Sequence, residues 1–185
     1  MFKLQIKYLS FFFGIVSILS FFNILYSYYF NLYLNLDTYY FTLIASSILF
    51  ITFFKFGKYD IKSNIFQRIL TIFLGYLLIP LVLSIPFYFS IYNLTFSNSF
   101  FEAISGFTST GFTVFENIKL IDQSLIIWRS STQWIGGLYF LFSIIYLIDI
   151  YDDSFKKTLT NFISFNSTEI LKQAVKIFIL YSSLT

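Results

Sequence analysis

The sequence contains no cysteine and no histidine. Without thiols and imidazoles, the chain cannot form disulfides, Cys–His or Ser–His nucleophile pairs, or the usual zinc and haem ligand sets. The nine Asp and Glu residues are the remaining acid–base candidates, and no two of them form an evident catalytic pair. We therefore predict that the protein is not an enzyme and that it holds no cofactor.

Charge is also scarce, because charged residues make up 11% of the 185 residues. A typical soluble domain has about 25% charged residues. Hydrophobic residues make up 57%, with 28 Phe and 15 Tyr, which is typical of a protein whose exterior contacts lipid. The net charge of +3 is too small for a nucleic-acid partner, and no basic and aromatic stripe supports one. The composition therefore predicts a lipid membrane, and no nucleic acid, as the partner.

Four apolar segments lie at about residues 8–30, 39–56, 66–90 and 125–148. The first would form a helix of about 35 Å, enough to cross a hydrocarbon core of about 30 Å. Tyr26, Tyr28 and Tyr29 follow its apolar centre where a signal peptide would have small residues, which indicates a retained helix. The third segment contains Pro80 and Pro86, which predict a kink near one end.

The C-terminal part of the sequence is more polar. Within residues 149–173, apolar side chains recur at helical spacing and predict a short helix on the membrane surface; they are Phe155, Leu159, Phe162 and Ile163. Residues 174–185 then begin a further apolar run. Twelve residues of helix measure about 18 Å, which is too short to span a membrane.

The basic residues predict the orientation of the chain. Of the 12 Lys and Arg residues, all except Lys119 and Arg129 lie in segments that a cytoplasmic N-terminus places inside. This agrees with the positive-inside rule only if four segments span and the stretch between the third and fourth does not. That stretch must then enter and leave the membrane on the outer side. We therefore predict a multi-pass protein of the cytoplasmic (inner) membrane with a cytoplasmic N-terminus.

The non-spanning stretch includes SFFEAISGFTSTGFT, residues 99–113. Ser99 and Glu102 have the spacing of a capping box, which predicts a helix over residues 100–107 of about 12 Å. The C-terminal end of such a half-helix carries a partial negative charge, which favours a cation in front of it.

The residues after this helix are Thr108, Ser109, Thr110, Gly111 and Phe112. Irregular backbone within a membrane is viable only inside protein or beside water, and aligned carbonyls can replace the hydration shell of an ion. Glycine permits the dihedral angles that orient the carbonyls, and hydroxyls add oxygen ligands for a hard cation. The stretch is therefore interpreted as a pore helix and selectivity filter, with these five residues as the ion-binding site. The alternative is a loop that only plugs the bundle, with Gly106 and Gly111 as close-packing points.

Two further features concern the segment after the filter. Gly136 and Gly137 predict a close approach of another helix. Arg129 is predicted to pair with a nearby acid rather than to bind an ion, because an unpaired cation beside the filter would repel the permeant ion. Glu102 is assigned to the capping box rather than to the ion.

FFEAISGFTSTGFTV (residues 100–114) and SLIIWRSSTQWIGGLYFL (residues 124–141) resemble the first pore repeat of the Trk/Ktr/HKT superfamily of potassium transporters. In that family, four repeats of helix, pore loop and helix surround one ion path, and the filter glycine is associated with potassium preference. The resemblance implies K⁺ coordination at Thr108, Ser109, Thr110 and Gly111, with Na⁺ as an alternative permeant ion. It strongly covers about residues 66–150.

The resemblance also implies a domain organisation. Residues 1–62 would be a two-helix extension of the TrkH type, 63–150 the first repeat, 151–173 a cytoplasmic linker with an interfacial helix, and 174–185 the truncated start of a second repeat. The fold class expected is an all-α integral membrane protein with four spanning helices, a re-entrant pore helix and filter loop, a surface helix and the start of a fifth span.

The function expected is potassium uptake, as the N-terminal part of a TrkH-like transporter that is incomplete alone, because one filter segment cannot surround an ion. The implied partners are the missing repeats, a cytoplasmic nucleotide-binding regulatory subunit and a second copy in a homodimer. Two alternatives stay open. One is a single-repeat cation channel that works as a homotetramer, and the other is a membrane structural or accessory protein that does not transport.

Overall fold

The computed structural model describes residues 7–57, 65–148 and 178–183, and helices are the only regular secondary structure in these ranges. The helices are α1 (Lys7–Tyr29), α2 (Leu36–Phe56), α3 (Ile65–Leu83), α4 (Ile85–Tyr88), α5 (Phe96–Phe107) and α6 (Gln123–Ile148), with a 3-10 turn at Ile118–Leu120. Residues 178–183 are also helical. The protein is an all-α membrane protein, as the composition predicts.

Three helical segments are long and apolar enough to cross a membrane: Tyr8–Tyr29, Leu36–Phe56 and Phe66–Tyr88. α6 has 26 residues and is therefore about 39 Å long, but its first half contains Arg129 and Gln133. All four predicted apolar segments are thus helical. The predicted surface helix over residues 155–163 lies outside the described residues, as does most of the segment 174–185.

The predicted kink lies where α3 ends at Leu83 and α4 begins at Ile85. Pro80 lies inside α3 and Pro86 in the first turn of α4, where its missing N–H costs least. The break frees the Leu83 carbonyl, which accepts a hydrogen bond from the indole nitrogen of Trp128 at 3.0 Å. Trp128 is fully buried, so this bond fixes α6 against the end of α3.

Aromatic side chains form much of the core. Tyr8 and Phe12 of α1 pack against Tyr139 and Phe142 of α6, with ring centroids 4.6 Å apart for Tyr8–Phe142 and 4.7 Å for Phe12–Tyr139. Large rings bury much apolar surface and add about 1 kcal/mol per favourable pair. The same core includes Phe107, the last residue of α5, whose ring is 5.3 Å from that of Tyr139. The core therefore joins α1 to α6 and supports the end of α5.

Three connecting segments meet at one end of the bundle, which we call the loop end (residues 30–35, 89–95 and 115–122). α5 begins at this end. Its last residue, Phe107, contacts Gly136, which is about 20 Å along α6 from the first residue of that helix. The chain then returns to the loop end before α6 starts. α5 and the segment after it are therefore held between the loop end and the middle of α6.

Candidate ion-binding segment

α5 begins four residues earlier than the sequence predicts. Its N-cap is Thr95, whose side-chain oxygen accepts a hydrogen bond from the Asn98 N–H at 3.3 Å. Ser99 lies within the helix, and its hydroxyl donates to the Thr95 carbonyl at 3.0 Å. The predicted capping box of Ser99 and Glu102 is therefore wrong. Thr95 provides the cap instead, and the Glu102 carboxylate has other partners.

The chain turns back on the end of α5 directly after Phe107. The filter segment (Thr108–Phe112) satisfies the last helix carbonyls through its own N–H groups: Thr108 donates to Ile104 at 2.8 Å, Ser109 to Gly106 at 2.9 Å and Thr110 to Ser105 at 3.1 Å. The negative end of the α5 dipole is therefore covered by one layer of backbone. The filter segment therefore lies between the helix carbonyls and the surface of the protein.

Two residues of the filter segment have left-handed backbone. Ser109 has φ of 56° and Gly111 has φ of 81°. A side chain at Gly111 would meet no atom within 4 Å, so this glycine is required by its backbone angle and not by close packing. Gly106 differs, because a Cβ there would meet Thr132 of α6. Of the two glycines in the plug alternative, only Gly106 is a close-packing point.

The carbonyls of the filter segment divide into two groups. Those of Thr108, Ser109 and Thr110 accept no hydrogen bond from any residue that the structure describes. The Gly111 and Phe112 carbonyls, by contrast, accept from the Arg129 guanidinium at 3.2 Å and 3.3 Å. Three consecutive carbonyls are therefore available to a ligand, whereas the next two are hydrogen-bonded to Arg129.

Hydrogen bonds of hydroxyl groups join the filter segment to α5. Thr108 Oγ1 donates to the Ile104 carbonyl at 2.8 Å and Thr110 Oγ1 to the Ser105 carbonyl at 3.1 Å. The Ser105 hydroxyl donates to the Phe112 carbonyl at 2.6 Å. These bonds use the hydroxyl protons and brace the segment. All five filter residues are nevertheless exposed, and Phe112 is 70% exposed.

A buried ion pair lies behind the filter segment. Arg129 Nε is 2.6 Å from Glu102 Oε1, and the exposed fractions of the two side chains are 13% and 0%. Glu102 also accepts from the Thr113 hydroxyl at 3.0 Å and from the Val114 N–H at 2.9 Å. The predicted pairing of Arg129 with an acid is confirmed. Sequence reasoning missed that Arg129 also binds the Gly111 and Phe112 carbonyls, because no spacing rule connects residues on separate elements.

The two glycines of α6 serve two contacts. A Cβ at Gly136 would overlap the backbone of Phe107, so the end of α5 lies directly on α6. A Cβ at Gly137 would meet the Tyr181 hydroxyl, so the segment 178–183 packs on a neighbouring face. The predicted close approach at this pair is confirmed.

The geometry suits a small cation. A row of free carbonyls on an exposed segment offers oxygen ligands, and hard cations prefer oxygen. The ion pair behind the segment is neutral, so it does not oppose a cation as an isolated Arg129 would. One such segment contacts an ion from one side only. No group of three or more metal-binding side chains occurs in residues 7–57, 65–148 and 178–183, so the backbone is the main ligand source there.

The chain is similar to several transporters. An uncharacterized cation transporter of Methanocaldococcus jannaschii is 35% identical over 65 residues, which are 35% of this chain and 14% of the relative. The Trk system potassium uptake protein TrkI of Halomonas elongata is 37% identical over 60 residues, 32% of this chain and 11% of the relative. TrkH of Escherichia coli K12 is 33% identical over 82 residues, 44% of this chain and 17% of the relative. No protein-family model matches the chain, and no solved structure matches it significantly.

The apolar helices define an integral membrane protein, and the relatives that it resembles are cation transporters and not enzymes. Within that class, the chain is similar to potassium uptake proteins of the Trk system, which supports its place in the Trk superfamily. The resemblance carried by residues 100–114 and 124–141 is thereby confirmed at the level of the family. The matched part of the chain covers at most 17% of these three relatives, so it corresponds to a small part of each.

Proposed function

We propose that the chain supplies one filter segment of a potassium-uptake path across the cytoplasmic membrane. The observation that carries this proposal is the row of free carbonyls at Thr108, Ser109 and Thr110, backed by a neutral ion pair. The relatives named as potassium uptake proteins support K⁺ as the permeant ion. Na⁺ is the alternative ion that the resemblance implies. The Gly111 carbonyl faces Arg129, so we assign the ion contact to the three preceding carbonyls.

The path requires further filter segments, because an ion must be surrounded to replace its hydration shell. We propose that they come from further repeats of a TrkH-like transporter, with residues 1–62 as the extension and 63–150 as the first repeat. A nucleotide-binding regulatory subunit and a second copy remain predictions of the resemblance. The homotetramer remains a second candidate, because the exposed filter segment would also suit fourfold assembly.

The proposal is tested by a chimera in which residues 1–150 of this chain replace the N-terminal part of E. coli TrkH. We expect the chimera to take up Rb⁺, as a tracer for K⁺, in a host without its own potassium uptake. The 185-residue chain expressed alone should not, because it provides one filter segment. Membrane abundance is measured in parallel. A chimera that is as abundant as the parent but inactive contradicts the proposal, and uptake by the chain alone would favour the homotetramer.

The proposed topology places both ends of the α5 region outside and the end of α2 inside. Single cysteines report this cleanly, because the chain has no cysteine of its own. Ser97 is exposed, and Leu120 and Phe56 are 77% and 82% exposed. We expect Ser97→Cys and Leu120→Cys to react with a membrane-impermeant thiol reagent added to intact cells. Phe56→Cys should react only after permeabilisation. Reaction of Ser97→Cys or Leu120→Cys only after permeabilisation would refute the re-entrant arrangement.

A further inference from the structure

A buried polar network joins the N-terminal helix pair to the start of α6. Its centre is Asn35, the residue before α2, which is 1% exposed. Asn35 Nδ2 donates to Asp122 Oδ2 at 2.9 Å, and Asn35 Oδ1 accepts from the Ile91 N–H at 3.1 Å. One amide thus binds the segment after α4 and the segment before α6. A buried amide with both ends paired holds its partners in one arrangement.

The network also holds the first turn of α6. The Asp122 carbonyl accepts from the Leu125 and Ile126 N–H groups, and Asp122 Oδ2 accepts from the Ser124 hydroxyl at 2.6 Å. Tyr39 of α2 shares a hydrogen bond with Ser124 Oγ at 2.9 Å, and Asn23 of α1 donates to the Ser124 carbonyl at 3.2 Å. α1 and α2 therefore both fix the position at which α6 begins.

Two routes connect this point to the filter segment. Asp122 precedes Arg129 by seven residues, which is about two helical turns and the same face of α6. Arg129 then binds the carbonyls of Gly111 and Phe112. The start of α6 therefore sets the position of the guanidinium behind the filter.

The second route passes through Tyr92. The Tyr92 hydroxyl accepts from the Asp122 N–H at 2.7 Å, and its ring lies 5.7 Å from that of Phe115. The Phe115 N–H donates to the Thr113 hydroxyl, which in turn donates to Glu102. A displacement of Asp122 would therefore reach the segment from its C-terminal end as well.

We propose that the N-terminal helix pair positions the filter segment through Asn35, which acts as a positioning residue and touches no ion. The proposal depends on the proposed function only in treating residues 108–112 as a filter. It states that loss of the Asn35–Asp122 hydrogen bond loosens the filter segment more than it loosens the N-terminal helix pair. The filter segment lies about 75 residues after Asn35 in the sequence. Coupling of this kind requires direct measurement.

The test is hydrogen exchange of the 185-residue chain in lipid nanodiscs, followed by mass spectrometry. The N–H groups of Thr108, Ser109, Thr110 and Val114 are hydrogen-bonded, so their exchange reports opening of the segment. Asn35→Ala removes two buried hydrogen bonds, and we expect exchange across residues 108–114 to become about tenfold faster. Exchange in the central turns of α1 and α2 should stay within about twofold of the wild type.

A reciprocal exchange separates positioning from general damage. Asn35→Asp places two carboxylates together and should loosen residues 108–114. Adding Asp122→Asn restores one amide–carboxylate pair with the donor reversed. The new amide nitrogen at position 122 donates to the carboxylate at position 35 and, with its second hydrogen, to the Ser124 hydroxyl, which turns to donate to Tyr39. Asparagine is as good an N-cap as aspartate. We expect the double variant to return exchange to within about twofold of the wild type. Tyr28→Phe is the control, because it removes an exposed bond to Tyr40 near the same end of the pair.

Each outcome decides the proposal, and none requires transport. Faster exchange confined to residues 89–94 and 120–126 would show that the network is only local and would overturn it. Equally faster exchange throughout α1 and α2 would show general unfolding and would also overturn it, as would failure of the double variant to recover. Recovery at residues 108–114 supports the proposal even if the chimera with TrkH proves inactive.

Discussion

Gly111→Ser is expected to lower the preference for K⁺ over Na⁺ about tenfold in the chimera with TrkH, since a left-handed non-glycine residue costs about 1–2 kcal/mol. Gly111 has φ of 81°, and the space for a side chain is open. A serine therefore fits sterically but strains the backbone. Relief of the strain rotates the peptide group between Thr110 and Gly111, which turns the free Thr110 carbonyl away from its present direction. The ion then loses one of its oxygen ligands.

The measurement is Rb⁺ and Na⁺ flux divided by membrane abundance. Gly111→Ala is the matched variant, because it adds the Cβ without the hydroxyl and should behave like Gly111→Ser. Ser109→Ala is the control, because Ser109 already has a Cβ at φ of 56° and its carbonyl is unchanged. If Gly111→Ser left the preference unchanged at normal abundance, the proposed role of Gly111 in orienting the Thr110 carbonyl toward the ion would be wrong.

The sequence predicted the elements better than the contacts between them. The four apolar segments are predicted from local hydropathy, and each is helical in the structure. The kink is predicted from the missing N–H of proline, and the structure has a break between α3 and α4 there. The predicted start of α5 is wrong because Ser99 and Glu102 have the spacing of a capping box without forming one. Thr95 provides the cap, and Glu102 instead pairs with Arg129, a residue 27 positions later in the sequence.

In the filter segment, too, the sequence predicts the local backbone but not the contacts. Gly111 was identified from composition, since glycine near hydroxyl residues favours turned backbone. The roles of its neighbours could not be read in this way. Free carbonyls at Thr108, Ser109 and Thr110, but paired ones at Gly111 and Phe112, follow from where the Arg129 side chain lies in three dimensions. Asn35, like Asp122 and Ser124, matches the residue preference of a helix N-terminus, but that signal does not reveal its bonds to Ile91 and Asp122.

The Glu102–Arg129 pair gives the second large effect. Arg129→Gln leaves the Glu102 carboxylate buried without a cation, and breaking such a pair on one side costs about 3–5 kcal/mol. Hydrogen bonds from Thr113 and Val114 remain and offset part of this cost. We expect a clear loss of membrane abundance and of thermal stability for the 185-residue chain, because this cost is a large share of the stability of a typical domain.

Glu102→Gln should act differently, because glutamine keeps the shape and an acceptor for Val114. It leaves the Arg129 charge uncompensated beside the filter segment, so the chimera should lose uptake per molecule more than it loses abundance. The double variant Glu102→Gln with Arg129→Gln carries no charge at these two positions, and its stability should exceed that of Arg129→Gln alone. Thermal unfolding of the wild type, the two single variants and the double variant gives the coupling free energy between Glu102 and Arg129. We expect it at about 1.5–3 kcal/mol. Additive losses would show that the two side chains act independently and that Arg129 does not depend on Glu102 to support the Gly111 and Phe112 carbonyls.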